Sequence, residues 1–148
     1  MSAALELLDP AGYPALQPLL DADGAHGIDL KVEADKTWSR IWAIRAKPGA
    51  QIVSGLITWW TPGQVEVVHL VTDPSARRQG HARRLMQALI DAAPSDASVW
   101  LEVRRSNTPA RALYMALGFE LSRERKSYYA DGEDALELVR AAREGSER

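Results

Sequence analysis

The sequence predicts an α/β (α+β) fold: a single mixed, mostly antiparallel sheet flanked by helices. Three observations carry this. Three β-rich runs with turn sequences between them fill the stretch from Ile41 to Thr72, two amphipathic helical stretches separated by an alternating strand follow, and a last pair of β-rich runs surrounds Asp131-Gly132. A sheet face and a helix stripe each need an apolar partner, so one sheet with helices laid on it is the natural packing.

Taken in order, Leu5 to Leu8 reads as a short strand, and Pro10, Pro14 and Pro18 interrupt whatever helix follows. Ile41 to Ala46 and Ile52 to Trp60 are β-rich and are joined by Lys47-Pro48-Gly49; Thr61-Pro62-Gly63 then leads into Gln64 to Thr72, which completes an antiparallel meander. That third strand changes phase. Val65 and Val67 share one face before Val68 and Leu70 take over around His69, which implies burial on both faces or a β-bulge. Asp73-Pro74 ends it, and a helix begins near His81, where Ala82, Leu85, Met86, Leu89, Ile90 and Ala93 form one buried stripe. Val99 to Arg104 alternates, with Val99, Leu101 and Val103 on one face and Trp100, Glu102 and Arg104 on the other. Asn107 and Thr108 offer caps ahead of Pro109, Ala112, Leu113, Ala116 and Leu117 make the next stripe, and Gly118 ends that helix. Phe119 to Arg125 and Ala135 to Val139 read as the final strand pair, and the tail from Arg140 is polar and expected to fray. There is no repeat and no internal linker, so residues 1–148 are expected to form a single domain.

Composition narrows the function. The 148 residues carry no cysteine, which excludes a disulfide framework and a thiolate zinc site. No apolar run approaches the ~20 residues of a membrane span. Met1 to Pro10 carries Glu6 and Asp9 without the basic start of a secretory signal, so a cytoplasmic location is expected. The net charge of −2 argues against general capture of nucleic acid. Against that balance, Arg77, Arg78, Arg83 and Arg84 crowd into eight residues. They read either as a solvated helix face or as counter-charge for a phosphorylated ligand.

The segment from Thr72 through Gly80 to Ala82 joins a strand to an amphipathic helix. A helix N-terminus exposes unpaired N–H groups and partial positive charge, which suits a phosphate, and Gly80 lets the backbone approach an anion. No Gly-Lys-Ser/Thr follows, so this is not a Walker loop, and the three glycines of a dinucleotide fingerprint are missing.

Arg77-x-x-Gly80-x-Ala82 resembles the pyrophosphate-binding signature of the GNAT N-acetyltransferases. Trp100-Leu101-Glu102-Val103-Arg104-Arg105-Ser106-Asn107, Ala112-Leu113-Tyr114, Leu117-Gly118-Phe119 and Tyr128-Tyr129 with Asp131 to Ala135 extend the likeness over roughly residues 64 to 139. Within that family they are similar to the bacterial RimI type, which acetylates the N-terminal alanine of a ribosomal protein. Residues 1 to 60, the region that the resemblance implies helps form the acceptor pocket, lack the Phe-Pro-Trp-Ser stretch of that type.

The resemblance implies acetyl-CoA as co-substrate without a metal. It places Leu70, Val71 and Thr72 along the pantetheine arm, Arg77, Arg78, Gln79, Gly80, His81 and Ala82 at the pyrophosphate, and Asn107 on the pantetheine. Glu102 matches the family's general base, Tyr114 its general acid, and Tyr128 and Tyr129 the residues that grip the acceptor peptide. From the residues alone, Glu102 reads equally as an exposed strand carboxylate, Tyr114 as a core aromatic, Asn107 as a helix cap and the tyrosine pair as surface aromatics. His26 and His69 carry no expected catalytic role, and the five tryptophans read as core and pocket wall. An N-terminal amine, with a pKa near 7.7–8.0, reaches its neutral form for under ~1.5 kcal/mol at neutral pH, against about 4 to 5 kcal/mol for a lysine. Together with the resemblance, this makes the expected acceptor a protein N-terminus, a ribosomal protein's in the first instance. A small-molecule amine, a lysine side chain, and a coenzyme A-binding module without catalysis stay open. Oligomeric state is not legible.

Overall fold

The computed structural model describes residues 3–25 and 27–143. The expected His26 reading and the tail from residue 144 lie outside the described residues. The chain runs β1 (Ala4–Leu7), a 3-10 turn (Pro10–Leu16), α1 (Gln17–Ala22), α2 (Leu30–Glu33), β2 (Ser39–Arg45), β3 (Ile52–Thr61), β4 (Gln64–Thr72), a 3-10 turn (Pro74–Ala76), α3 (His81–Ala92), β5 (Ser98–Arg104), α4 (Thr108–Ala116), β6 (Glu120–Arg125) and β7 (Ala135–Arg140). The strands form one sheet in the order β1-β2-β3-β4-β5-β7-β6. Only β4 and β5 lie parallel, over Gln64↔Ser98, Val65↔Val99 and Glu66↔Trp100. β1–β2, β2–β3, β5–β7 and β6–β7 are antiparallel, and the two-residue connection between β3 and β4 permits only that direction. Among the described residues no helix is long and apolar enough to cross a membrane.

Two compact units can be distinguished: Met1–Trp60 with Val68–Asp91, and Thr61–Val67 with Ala92–Arg148. In the first, Leu8, Tyr13, Leu16, Leu19, Leu20 and Leu30 pack with Ile41, Ala43, Ile52, Ile57 and Val71. The prolines do not exclude helix here. Pro18 occupies the first turn of α1, where a missing N–H costs nothing, and Pro14 lies in the 3-10 turn before it. Gly55 of β3 allows this packing, because a Cβ there would come within 2.6 Å of the buried Leu16 side chain. In the second unit Val99, Leu101 and Val103 are buried on one face of β5, and Leu136, Leu138, Tyr114 and Phe119 are buried as well.

Along β4, Val65, Val67 and Val71 are buried and Val68 and Leu70 half-buried, in keeping with burial on both faces. Two helix readings change. In α3 it is His81, not Ala82, that joins Leu85, Met86, Leu89 and Ile90 as a buried residue. A positional pattern passes over histidine because its ring is polar, yet a neutral imidazole packs as a small aromatic. In α4 the buried residue is Tyr114, whereas Ala112 and Ala116 are exposed and Leu113 and Leu117 half-buried. The tryptophans divide: Trp42 is buried, Trp59, Trp60 and Trp100 are half-buried, and Trp38 is exposed. Arg140, expected to begin the tail, instead ends β7 and donates from Nε to the Leu117 carbonyl at 3.0 Å.

Candidate active site

The first unit supplies the turn that matches the phosphate signature. Asp73 closes β4 by accepting from the Ser75 N–H (2.9 Å) and hydroxyl (2.7 Å), and these bonds hold its carboxyl below the usual range. Arg77 is then extended, Arg78 is left-handed at φ 65° and Gly80 left-handed at φ 79°, immediately before α3 begins at His81. Left-handed residues alternating with ordinary ones turn successive N–H groups toward one side, and the first turn of a helix adds more unpaired donors. A Cβ on Gly80 would meet no protein atom within 4 Å, so glycine is required there by the backbone conformation and not by packing.

Arg77, Arg78, Gln79 and Gly80 are exposed, Ala82 is half-buried, and the His81 ring is buried. Burial, aided by the Arg84 charge, pushes the His81 imidazole below its ordinary pKa and keeps it neutral. Any contribution of His81 to a ligand therefore comes through its backbone. Along β4, Thr72 Oγ1 lies 2.8 Å from Ser54 Oγ, which itself donates to the Val71 carbonyl at 2.9 Å. His69 Nε2 sits 3.2 Å from Asp23 Oδ2, a partly exposed pair outside this turn.

The same unit contains a cavity of about 360 Å³ lined by Ile28, Val32, Trp59 and Val68, with the Glu33 carboxylate in its wall. Glu33 accepts from Lys36 Nζ at 2.9 Å and from the Trp59 indole at 2.6 Å, and the Lys36 ammonium lies 4.5 Å from the Trp59 ring centre. Burial alone would raise the Glu33 carboxyl, but its polar surroundings, the Lys36 and Trp59 donors among them, outweigh it and hold it below its ordinary value. Nothing in the pattern of residues 28 to 36 marks Glu33 as a buried acid, because its partner Trp59 is 26 residues away.

The second unit carries the residues matched to catalysis. Glu102, on β5, lies directly opposite Glu137 of β7. Its Oε1 accepts from the Tyr128 hydroxyl at 3.2 Å, and its Oε2 lies 2.6 Å from Arg125 Nε. The Glu102 charge and this hydrogen bond raise the Tyr128 phenol above its ordinary pKa. Glu66 shares the face, being paired with Trp100 two residues before Glu102. Burial first, and then the Glu102 charge, raise the Glu66 carboxyl.

Asn107 is the cap of α4, its side chain accepting from the Ala110 N–H at 3.3 Å. Tyr114 packs against Phe119 with ring centres 5.8 Å apart. Burial pushes its phenol up to about 12, and among the described residues no side chain or backbone group hydrogen-bonds its hydroxyl. No group of three or more metal-binding side chains occurs among the described residues.

The loop after β6 is pinned by charge. Arg104 binds Asp131 and Glu133, each at 2.9 Å, and its guanidinium lies 4.0 Å from the Tyr129 ring centre. Glu133 also accepts from the Ser106 N–H at 2.8 Å. Tyr128 and Tyr129 meet edge to face at 5.3 Å. The bonds from Ser106 and Arg104 hold the Glu133 carboxyl down at about 2. A carboxyl lowered on folding stabilises the loop above its unfolded pKa and loses that contribution as pH falls toward the folded value. The loop is expected to keep its order down to about pH 4.5 and to loosen between there and pH 2. NMR of the Ser106 amide, which donates to Glu133, checks this, and Glu133→Gln should remove that amide's pH dependence in the window.

A family model described as acetyltransferase (GNAT) matches residues 10–119, which include the 77–82 turn, Glu102 and Tyr114. The chain belongs to the GNAT acetyltransferase family. It is an acyltransferase of the N-acetyltransferase kind. Over 134 residues it is 42% identical to the ribosomal protein bS18-alanine N-acetyltransferase of Escherichia coli K12, covering 87% of this chain and 90% of that one. The match to the Haemophilus ducreyi protein of the same name is confined to 68 residues at 41% identity, and spans 47% of that protein's length. The crystal structure of the Escherichia coli ribosomal-protein-S18-alanine N-acetyltransferase superposes with a TM-score of 0.84 at 27% identity, covering 99% of this GNAT chain and 97% of that one. A GNAT acetyltransferase of Elizabethkingia anophelis, solved with acetyl-CoA bound, shares the fold at a TM-score of 0.74 and 18% identity.

Proposed function

We propose that this acetyltransferase moves an acetyl group from acetyl-CoA to the N-terminal α-amine of a protein, an alanine-initiated ribosomal protein in the first instance. The observation that carries the reading is the 3.2 Å hydrogen bond from Tyr128 to Glu102. It joins the residue that matches the family's base to the loop that matches its peptide grip. The likeness to the Escherichia coli enzyme over nearly its whole length supports the acceptor class. We read 1–148 as one domain, because the family match at 10–119 runs through both compact units, and expect it to act in the cytoplasm.

In this reading the 77–82 turn takes the pyrophosphate, with Arg77 and Arg78 as counter-charge, and Leu70 to Thr72 and Asn107 take the pantetheine. The amine nitrogen attacks the thioester carbon, a C–N bond forms and the C–S bond breaks. Glu102 takes the proton that the nitrogen gives up, and Tyr114 stabilises the departing sulfur. A phenol near 12 giving its proton to a thiolate whose acid is near 8.5 faces a climb of about 5 kcal/mol. Tyr114 therefore acts on sulfur as a hydrogen-bond donor, and the thiolate takes its final proton from solvent.

The test offers acetyl-CoA with an alanine-initiated peptide, the same peptide N-blocked with one lysine, and a panel of small amines, and reads products by mass. Acetylation of the α-amine alone supports the proposal; acetylation confined to lysine or to a small amine overturns it. Tyr114→Phe removes only the hydroxyl, so the unfolding temperature should hold and acetyl-CoA affinity should change little. Turnover should fall by about 10²-fold, because the bond strengthens as charge develops on sulfur. Equal turnover would remove Tyr114 from the mechanism.

A further inference from the structure

Glu102 and Glu137 face each other across β5 and β7, where like charges directly opposite repel. Arg125 lies against both. Its Nε is 2.6 Å from Glu102 Oε2, and a terminal nitrogen is 3.7 Å from Glu137 Oε2. It reaches that face because of an irregularity in β6. Leu121 pairs with Leu138, but the next pair is Arg123 with Glu137, so Ser122 is an extra residue. Side chains alternate along a strand, and a slip of one residue exchanges its two faces. With Ser122 bulged, Arg123 and Arg125 share the face of Glu102 and Glu137. In unbroken register Ser122 and Glu124 would take their places and set further negative charge beside Glu102.

The Arg125 side chain is 35% exposed, and a partly exposed ion pair contributes little to stability. The geometry has a sharper consequence for orientation. Arg125 sits in ion-pair contact with one oxygen of Glu102, without a directed hydrogen bond, and Tyr128 donates to the other, so the carboxylate is flanked at both ends. Each oxygen keeps a lone pair to spare.

We propose that Arg125 is a positioning residue: carried to the Glu102 face by the bulge at Ser122, it bridges Glu102 and Glu137 and presents Glu102 to the acceptor amine in one fixed orientation. This rests on the reading of Glu102 as the base. Misplacing a reacting group by a fraction of an ångström costs about tenfold in rate. Arg125→Gln should therefore lower kcat about tenfold and leave acetyl-CoA affinity and the unfolding temperature nearly unchanged. Arg125→Lys, which keeps the charge, should recover part of the loss.

The deciding measurement is a double-mutant cycle with Glu102→Gln on the alanine-initiated peptide. If Arg125 acts through Glu102, adding Arg125→Gln to Glu102→Gln should slow the enzyme no further. The same tenfold loss in both backgrounds would overturn the positioning role, as would full activity of Arg125→Gln. Wild-type turnover by Glu102→Gln alone would instead sink the base assignment, a result distinct from additivity. Should Arg125→Gln unfold, Arg125→Lys carries the same cycle.

Discussion

Gly80→Glu is expected to abolish acetyl-CoA binding, the largest effect anticipated for any single substitution in this chain. Two costs combine. At φ 79° a residue with a Cβ is strained by roughly 1–2 kcal/mol, and the new carboxylate stands at the helix start where an anionic ligand would take up the exposed N–H groups. Gly80→Ala separates the two. Its Cβ enters open space, so it carries the backbone strain without the charge and should lose about 1 kcal/mol of stability while still binding. Calorimetry with coenzyme A, alongside thermal unfolding, reads both variants. Unchanged binding by Gly80→Glu would show that the phosphates lie elsewhere, and loss of binding by both variants would trace the effect to backbone geometry.

Glu102→Gln is expected to lower turnover by about 10²-fold or more at neutral pH, with acetyl-CoA affinity nearly intact. The substitution keeps the shape of the side chain and an acceptor oxygen for Tyr128, but it removes the charge that Arg125 pairs with and the site that takes the proton. The deficit should depend on pH in a defined direction. An N-terminal amine titrates near 7.7–8.0, so above about pH 8 it arrives already neutral and no longer has to lose a proton before it attacks, which leaves less for the base to do. The ratio of wild-type to variant rates should therefore shrink between pH 7 and 9. A constant ratio across that range would assign Glu102 a structural role, since packing losses do not follow the acceptor's protonation.

What the sequence alone determined is local. The turn from Thr72 to Ala82 is legible because its function resides in contiguous backbone: a strand end, a glycine forced left-handed and a helix start. Strands β4 and β5 and the start of α3 lie where alternation and periodicity put them, because burial on one face imposes period two or 3.6 on neighbouring residues. The likeness to known acetyltransferases singled out Glu102, Tyr114, Tyr128 and Tyr129 without saying how they are disposed.

The tertiary structure decided how those residues are held. Tyr128 and Glu102 are 26 residues apart, as are Trp59 and Glu33, and no periodicity connects such pairs. That Arg125 and not Glu124 lies beside Glu102 depends on a single extra residue, Ser122, in an edge strand whose exposed sequence gives register no apolar pattern to follow. The polar identity of His81 concealed its burial, and the small size of Ala112 and Ala116 suggested a stripe that belongs to Tyr114. Local sequence specifies which way a side chain can point, whereas the charge or cavity it points at is assembled from strands distant in the chain.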